Sequence, residues 1–446
     1  VSMEFITEVK KKDTVTYDEI ISQNLIGSEV KVVGAIHNIR DMADVSFVIL
    51  RQSRGIIQCT LEEGKANLTK KDITEGMTVE ITGVASSEDR SPNGYEVKIS
   101  NIKILSKPAI AQMPVPINKW KLNTSLETIL NLRPLTLRNL RERAKFRIQE
   151  AICRGFREYM TSQKFVEIHT PKILARSVES GATMFKLEYF GKHAVLAQSP
   201  QTYKQMMVGV FDRVFETGPV FRAEKHNTHR HLNEYTSLDF ELGYIDSFYD
   251  IMELETEMLQ YVMDLLNREY KKEIDTLKID MPNVEKIPYV RFDEAKKLVS
   301  EKYNRNIKNP YDLEPEEEEL ISKYFKDEYG CDFVFVTHYP SKKRPFYAMD
   351  DPADPKYTLS FDLLFRGIEV TTGGQRIHDY EELKAKMEDR KMTEEGMEPY
   401  MSIFKYGMPP HGGLGLGLER LTMKMLGEDN VRETTLFPRD LSRIEP

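Results

Sequence analysis

Cysteine is nearly absent. Cys59, Cys153 and Cys331 stand far apart among 446 residues with no CxxC pair, which excludes a disulfide framework and a cysteine-built zinc cluster and fits a reducing compartment. Positive charge is not in excess either. The balance of 63 Lys and Arg against 71 Asp and Glu leaves −8, so no global field draws the chain onto nucleic acid, and any RNA contact has to come from local patches. No apolar run approaches the roughly 18 residues needed to cross a bilayer, and the start Val1-Ser2-Met3-Glu4 lacks the basic, apolar, small-residue order of a signal segment. The expectation is a cytoplasmic protein with no membrane role. The 40% apolar and 30% charged residues are ordinary for a globular chain with a real core, and the length suggests roughly two to four domains.

From Glu29 to about Leu105, the runs VKVVGAIHNI, VSFVILRQ, GIIQCTLE, MTVEITGVAS and GYEVKISNIKIL alternate with turn residues. This pattern predicts five short strands and one helical stretch near Asn67 to Glu75, the parts of an OB-fold β-barrel over 1–105. The stretch 106–136, with prolines at 108, 114 and 116, reads as a hinge or linker. A second domain is expected over 137–446. It opens with an amphipathic helix on which Leu140, Ala144, Ile148, Ile152 and Phe156 recur at helical spacing. Beyond Phe165, strand-like runs outnumber helices and several follow one another without a crossover, so the fold class is α+β with a mainly antiparallel sheet flanked by helices. Residues 271–326, ending in the charged run Glu314 to Glu319, read as a small, solvated inserted lobe.

Two segments carry chemistry. GPVFRAEKHNTHRHLNE places Arg222, Glu224, Arg230, His231 and Leu232 about one strand–loop–strand turn. Guanidinium forks fixed in this way suit phosphate oxygens, although one basic loop taken alone is more often a solvated turn. GGLGLGLER is a glycine-rich strand entering a helix near Leu418, with Gly417 and Arg420 at the junction. Glycines admit a nucleotide to the backbone, and the helix start favours negative charge, but GxGxG also marks sheet-to-helix packing. No GxxxxGK[ST] loop and no following βαβ unit occur, so Walker and Rossmann readings fail.

In that order, and with the helix before FVEIHTPKI, these segments resemble motifs 2, 3 and 1 of class II aminoacyl-tRNA synthetases. AQSPQTYKQMM, FDLLFRGIEVTTGGQRIHD, YGMPPHGGLGLGLER and the ending LFPRD are similar to the archaeal-type aspartyl-tRNA synthetases, over nearly the whole chain. The resemblance implies ATP as substrate, Mg²⁺ as cofactor and tRNA(Asp) as acceptor. It implies Arg222 and Arg420 as catalytic residues. Arg222, Glu224, Arg230, His231, Leu232, Glu369, Gly417 and Arg420 would bind ATP, and Glu369 and Thr372 the metal. Glu179, Gln201, Lys204, Arg222, Thr372 and Arg376 would bind aspartate, with Arg376 presenting a guanidinium fork and Lys204 a second cation to its side chain; His378 would also line that pocket. In the barrel, Phe47 and Gln58 would stack on and pair with an anticodon base, and Arg40, Arg51 and Arg54 would meet phosphates. The helix at about 141–162 and the strand to Ile173 would form a homodimer interface.

Each residue also has a plain structural alternative. Glu369 could be a salt-bridge partner, His231 a loop hydrogen-bonder, Lys204 an exposed helix lysine and Phe47 a core residue. His37 and Pro92 stand where aspartate-only enzymes of the family typically carry Trp and Lys, so the resemblance implies a non-discriminating enzyme. Such an enzyme charges tRNA(Asn) as well and needs a separate amidotransferase. The rival readings are an asparaginyl-tRNA synthetase, a noncatalytic RNA-binding paralogue and a tRNA-independent amide ligase.

Overall fold

The computed structural model describes residue 3 and residues 12–42, 45–110, 112–176, 184–225 and 228–445. Alternating Val, Ile and Leu in the N-terminal part form five strands, β1 (Glu29–Met42), β2 (Val45–Arg51), β3 (Ile56–Glu62), β4 (Thr78–Ser87) and β5 (Tyr95–Ser106). They close a barrel in the order β1-β2-β3-β5-β4. Only β3 and β5 run parallel. Val32, Val48, Leu50, Ile57, Cys59, Val79, Ile81 and Val97 fill the interior with no exposure, as period-two alternation requires. The helix expected near 67–75 is only a one-turn 3₁₀ segment at Lys70–Asp72. Asn67 instead turns its side chain to the β5 backbone, accepting from Ile102 N at 2.7 Å and donating to Ile102 O at 3.0 Å. Such side-chain bonding to the backbone competes with helix formation.

Two compact units divide the described residues, Val1–Thr124 with Pro134–Leu140, and Ser125–Arg133 with Arg141–Pro446. Among its described residues the proline-bearing stretch after β5 carries no regular element until a helix at Leu126–Asn131, whose first turn is capped by Ser125 accepting from Thr128 N at 3.2 Å. The 106–136 segment is thus not structureless throughout.

The second unit is built on an eight-stranded sheet. Its strands are β6 (Val166–Glu167), β7 (Arg213–Phe221), β8 (Glu234–Gly243), β9 (Tyr289–Arg291), β10 (Phe333–Thr337), β11 (Ser360–Phe365), β12 (Ile368–Arg376) and β13 (His411–Gly417). The order is β9-β10-β11-β12-β13-β8-β7-β6. The two edge pairs, β6 with β7 and β9 with β10, are parallel, and all interior pairs are antiparallel. Helices α1 (Leu140–Ser162), α2 (Gln201–Phe211) and α3 (Tyr249–Glu269) pack on it. Ile148, Ile152 and Phe156 of α1 join Val262, Leu265 and Leu266 of α3 and Phe240, Leu414 and Leu416 of the sheet in one core. The helices approach closely at Gly155, where a Cβ would lie 3.0 Å from Val262. The apolar stripe of α1, Phe156 included, is therefore occupied inside the chain's own core and is not an open interface.

The 271–326 stretch departs from a solvated lobe. It supplies β9 to the sheet, and its helices α4 (Phe292–Tyr303) and α5 (Pro315–Tyr329) bury Phe292, Val299, Ile321 and Phe325 against Val334, Val336 and Leu364. Nor is the acidic run a solvated face. Glu317 has no exposure and accepts from Lys296 Nζ at 2.5 Å; Glu318 is 8% exposed. Four acids in one helical turn cannot all face outward, and the two turned inward have cationic partners, the condition for burying charge.

Candidate active site

A cleft of about 440 Å³ opens over β8, β12 and β13, beside the loop joining β7 to β8. It gathers residues that lie far apart in sequence. Arg222 and Glu224 follow β7; Arg230, His231 and Leu232 precede β8; Gln201 and Lys204 come from α2; Glu369, Thr372 and Arg376 project from β12. Gly417 ends β13, and Arg420 lies in the first turn of α6 (Leu418–Leu426). Glu179 lies outside the described residues. His378 is not on the cleft wall, and its Nδ1 is buried with no hydrogen-bond partner among the described residues.

The turn after β7 is fixed by its backbone. Arg222 N donates to Asn233 O at 2.9 Å, and Asn233 Nδ2 returns bonds to Arg222 O at 2.7 Å and Glu224 O at 3.0 Å. Across the cleft, Arg420 joins two walls. Its Nε donates to Arg230 O at 3.3 Å and its Nη1 to Glu369 O at 3.1 Å. Thr372 Oγ1 donates to Glu369 Oε1 at 3.1 Å, so a carboxylate and a hydroxyl oxygen stand side by side. That pair has the hard-oxygen chemistry a small divalent cation takes, with water and phosphate completing its shell.

The cleft floor holds a four-charge network. Lys204 Nζ donates to Asp239 Oδ1 at 3.0 Å and Leu414 O at 2.8 Å and lies 3.3 Å from Glu241 Oε2. Arg376 donates through Nε to Glu241 Oε1 at 2.8 Å and through Nη2 to Gly413 O at 2.9 Å. Burial alone would raise the pKa of Glu241, which has no exposure, yet Arg376 and Lys204 hold it below the usual carboxylate range. The expected guanidinium fork is thus turned toward Glu241. Nη1 is the edge of Arg376 left without a hydrogen bond among the described residues. Two cations therefore face two carboxylates, and the network carries no surplus positive charge.

The glycine-rich strand makes this network possible. Gly413 and Gly415 lie opposite Glu241 and Asp239 in the β8–β13 register. A Cβ on Gly413 would stand 2.3 Å from Glu241 Oε2, and one on Gly415 would stand 3.0 Å from Asp239 Oδ1. Two of the motif's glycines therefore make room for buried acids. Gly417 is the one facing open space, its nearest contacts being 3.9 Å or more away.

Sequence reasoning passed over Asp239, Glu241, Asp362 and Glu419. For the first three the signal was an acid within an otherwise apolar strand, at alternate positions in SLDFELGYI and singly in FDLLF, while Glu419 lies in the helix that follows β13. Asp362 pairs with Arg344 at 2.8 Å, and burial pushes its carboxyl up to about 6. Burial likewise pushes Glu419 up to about 7 while both its oxygens accept from Thr236 N. His411 beside the network is held neutral, burial taking it down to about 4; its Nδ1 faces Pro409 O at 2.9 Å and its Nε2 faces Gln205 at 3.0 Å.

On the barrel, Phe47 belongs to the outer face and not to the core cluster. Arg40, Phe47 and Thr60 form one cross-strand row, and Asn38, Ile49 and Gln58 the next. Gln58 is nearly covered and donates to Glu96 Oε2 at 3.2 Å. His37 is the extra residue of a β-bulge between Ile36 and Asn38, a device that re-aims a side chain. It is 5% exposed, with Nδ1 3.4 Å from Arg51 Nη1, so it is not an open wall in this structure. Pro92 is exposed in the β4–β5 hairpin loop, two residues before Gly94 at φ +73°.

Residues 125–441 match the class II tRNA synthetases (D, K and N), and residues 30–105 match the OB-fold nucleic acid binding domain. The chain is 44% identical over 426 residues to the aspartate–tRNA(Asp/Asn) ligase of Deinococcus radiodurans, covering 94% of this chain and 96% of that protein. It is 37% identical over 438 residues to the aspartate–tRNA(Asp) ligase of Pyrococcus horikoshii, covering 96% and 99%. Among solved structures, the asparaginyl-tRNA synthetase of Pyrococcus horikoshii complexed with asparaginyl-adenylate superposes with a TM-score of 0.89 at 30% identity, covering 97% of this chain and 99% of that one.

Proposed function

The chain belongs to the class II tRNA synthetases, in the group serving aspartate, lysine and asparagine, and its reaction is the ATP-driven ligation of aspartate to tRNA; we propose that its acceptors include tRNA(Asn) and that the cleft residues divide the chemistry as follows. An oxygen of the aspartate α-carboxylate forms a bond to the α-phosphorus as the bond to pyrophosphate breaks. The 3′-hydroxyl of the terminal tRNA ribose then attacks the carbonyl carbon of the mixed anhydride, the bond from that carbon to the phosphate oxygen breaks, and AMP departs with its phosphate taking up the hydroxyl proton. The first step moves no proton, so the protein's task is alignment and charge neutralisation. Arg222 bridges the carboxylate and the α-phosphate. Glu224 takes the adenine side, and Arg230, His231 and Arg420 hold the outer phosphates along a wall formed by Leu232 and Gly417.

Glu369 and Thr372 would hold Mg²⁺, which when bound supplies charge neutralisation to the phosphates. The free edge of Arg376 receives the aspartate side chain. Lys204 keeps Asp239 and Glu241 in place beneath it, with Gln201 nearer the ammonium; the family resemblance gives Glu179 the same partner. On the barrel, Phe47 offers a stacking face flanked by Arg40, and Gln58 an amide. The protein works in the cytoplasm as a homodimer. The surface available to a mate is not the α1 stripe but the segment after it, where Val166 is 39% and Ile173 49% exposed. Sedimentation at micromolar concentration is expected to give a dimer, and a clean monomer contradicts it.

Relaxed acceptor choice rests on His37 and Pro92. The aspartate and asparagine anticodons differ only at the third base. A compact imidazole held back in a bulge and a proline without an N–H donor offer that base no preference, whereas an indole and an ammonium can impose one. Aspartyl-tRNA(Asn) made in this way needs an amidotransferase to finish it. Wild type is expected to aspartylate purified tRNA(Asp) and tRNA(Asn) alike, and His37→Trp/Pro92→Lys to lose tRNA(Asn) preferentially. Rejection of tRNA(Asn) by wild type of about a hundredfold or more overturns the relaxed reading.

A further inference from the structure

Arg230 and Glu369 come from different parts of the chain, one from the loop before β8 and the other from β12, yet they are tied together twice. Arg420 forms one tie, donating to both backbone carbonyls. The other comes from α5, in the 271–326 insertion and its flank. Glu318 Oε2 accepts from Arg230 Nη2 and also from Glu369 N at 3.2 Å. Both side chains of the ion pair are about 10% exposed, so the contact is shielded and its geometry is restricted by packing. With Nη2 engaged, Arg230 Nη1 is left buried with no hydrogen-bond partner among the described residues, and Arg230 lines the cleft. A buried donor without a partner costs free energy until water or a ligand completes it, and this one belongs to a residue that lines the cleft.

We propose that Glu318 is a positioning residue for ATP: it fixes the Arg230 guanidinium so that Nη1 meets an outer phosphate, and it anchors the β12 backbone at Glu369. The insertion is then part of the nucleotide site. Glu318 touches no substrate and acts through the two residues it holds. The inference rests on the assignment of Arg230 to phosphate in the proposed function.

Steady-state ATP–pyrophosphate exchange on Glu318→Ala, Glu318→Gln, Arg230→Ala and the Glu318→Ala/Arg230→Ala double variant separates the two claims. Outer-shell partners of this kind typically change affinity or activity by about 10-fold to 100-fold when removed. The KM for ATP should rise about tenfold or more in Glu318→Ala, while the KM for aspartate stays within about twofold; Glu318→Gln, which keeps an accepting oxygen and the side-chain volume, should fall between. The double variant should fall short of the product of the two single effects, because both changes remove the Arg230–Glu318 contact and only the anchor at Glu369 N is lost in addition. A general loss of folding would move both KM values together and would appear in the melting temperature. If Arg230→Ala raises the KM for ATP but neither Glu318 variant does, the positioning role is wrong and the phosphate assignment stands. If Arg230→Ala leaves that KM unchanged, the phosphate assignment falls and the positioning role falls with it. Multiplying effects in the double variant also overturn it.

Discussion

Replacing Arg222 by alanine should lower aspartate-dependent ATP–pyrophosphate exchange by about a hundredfold or more, with the loss mainly in kcat. Charge builds on the α-phosphate oxygens as the acyl–phosphate bond forms, so a guanidinium bridging both reactants contributes more in the transition state than in the ground state. The fold should tolerate the change. The side chain is 36% exposed, its guanidinium lies 5.8 Å from the Tyr235 ring centroid, and Glu224, 4.0 Å away, is itself 23% exposed. Truncation therefore leaves the Glu224 carboxylate within reach of water. A melting temperature close to wild type together with near-normal turnover would remove Arg222 from the reacting centre.

Arg376→Leu should have two separable effects. Aspartate use should fall by about 10² or more, because the side-chain carboxylate loses its donor in a desolvated site, while the KM for ATP changes little. Stability should fall as well. Glu241 has no exposure, and without Arg376 it is left to share Lys204 with Asp239, and removing one partner of a buried pair costs about 3–5 kcal/mol. The double variant Arg376→Leu/Glu241→Leu distinguishes the effects. It should regain much of the melting temperature, since apolar side chains of similar volume can replace a buried ion pair, and it should not regain aspartate activation. Recovery of activity in the double variant, or equal damage to ATP and aspartate use in the single one, would place Arg376 outside the side-chain pocket.

These two arginines differ in how far the sequence revealed them. Arg222 sits in a contiguous motif whose local spacing carries its meaning. The strands of the barrel were legible for the same reason, because period-two alternation is a local property. Arg376 was legible as a candidate cation, and it does line the cleft, but its orientation was not legible. That depends on Glu241, 135 positions away, and on a register that sets Gly413 opposite Glu241. The glycines of β13 had two possible meanings in sequence, and only the pairing shows which ones house acids and which one faces open space. That His37 sits in a bulge was not legible, because a bulge adds one residue without changing composition. The run Glu314 to Glu319 misled in the other direction. Four consecutive acids at the start of a helix suit the macrodipole and suggest solvent, while Lys296 and Arg230, which draw two of them inward, lie 21 and 88 residues away.

The most direct measurement of the whole account is amino-acid-dependent exchange of pyrophosphate into ATP by the purified protein, run in parallel with aspartate, asparagine and lysine in the presence of Mg²⁺. Aspartate alone should support rapid exchange, with asparagine weaker by about 10⁴, the discrimination expected where a site's buried polar groups lose a charged partner. Exchange supported by asparagine as well as or better than by aspartate, or by none of the three, would contradict it.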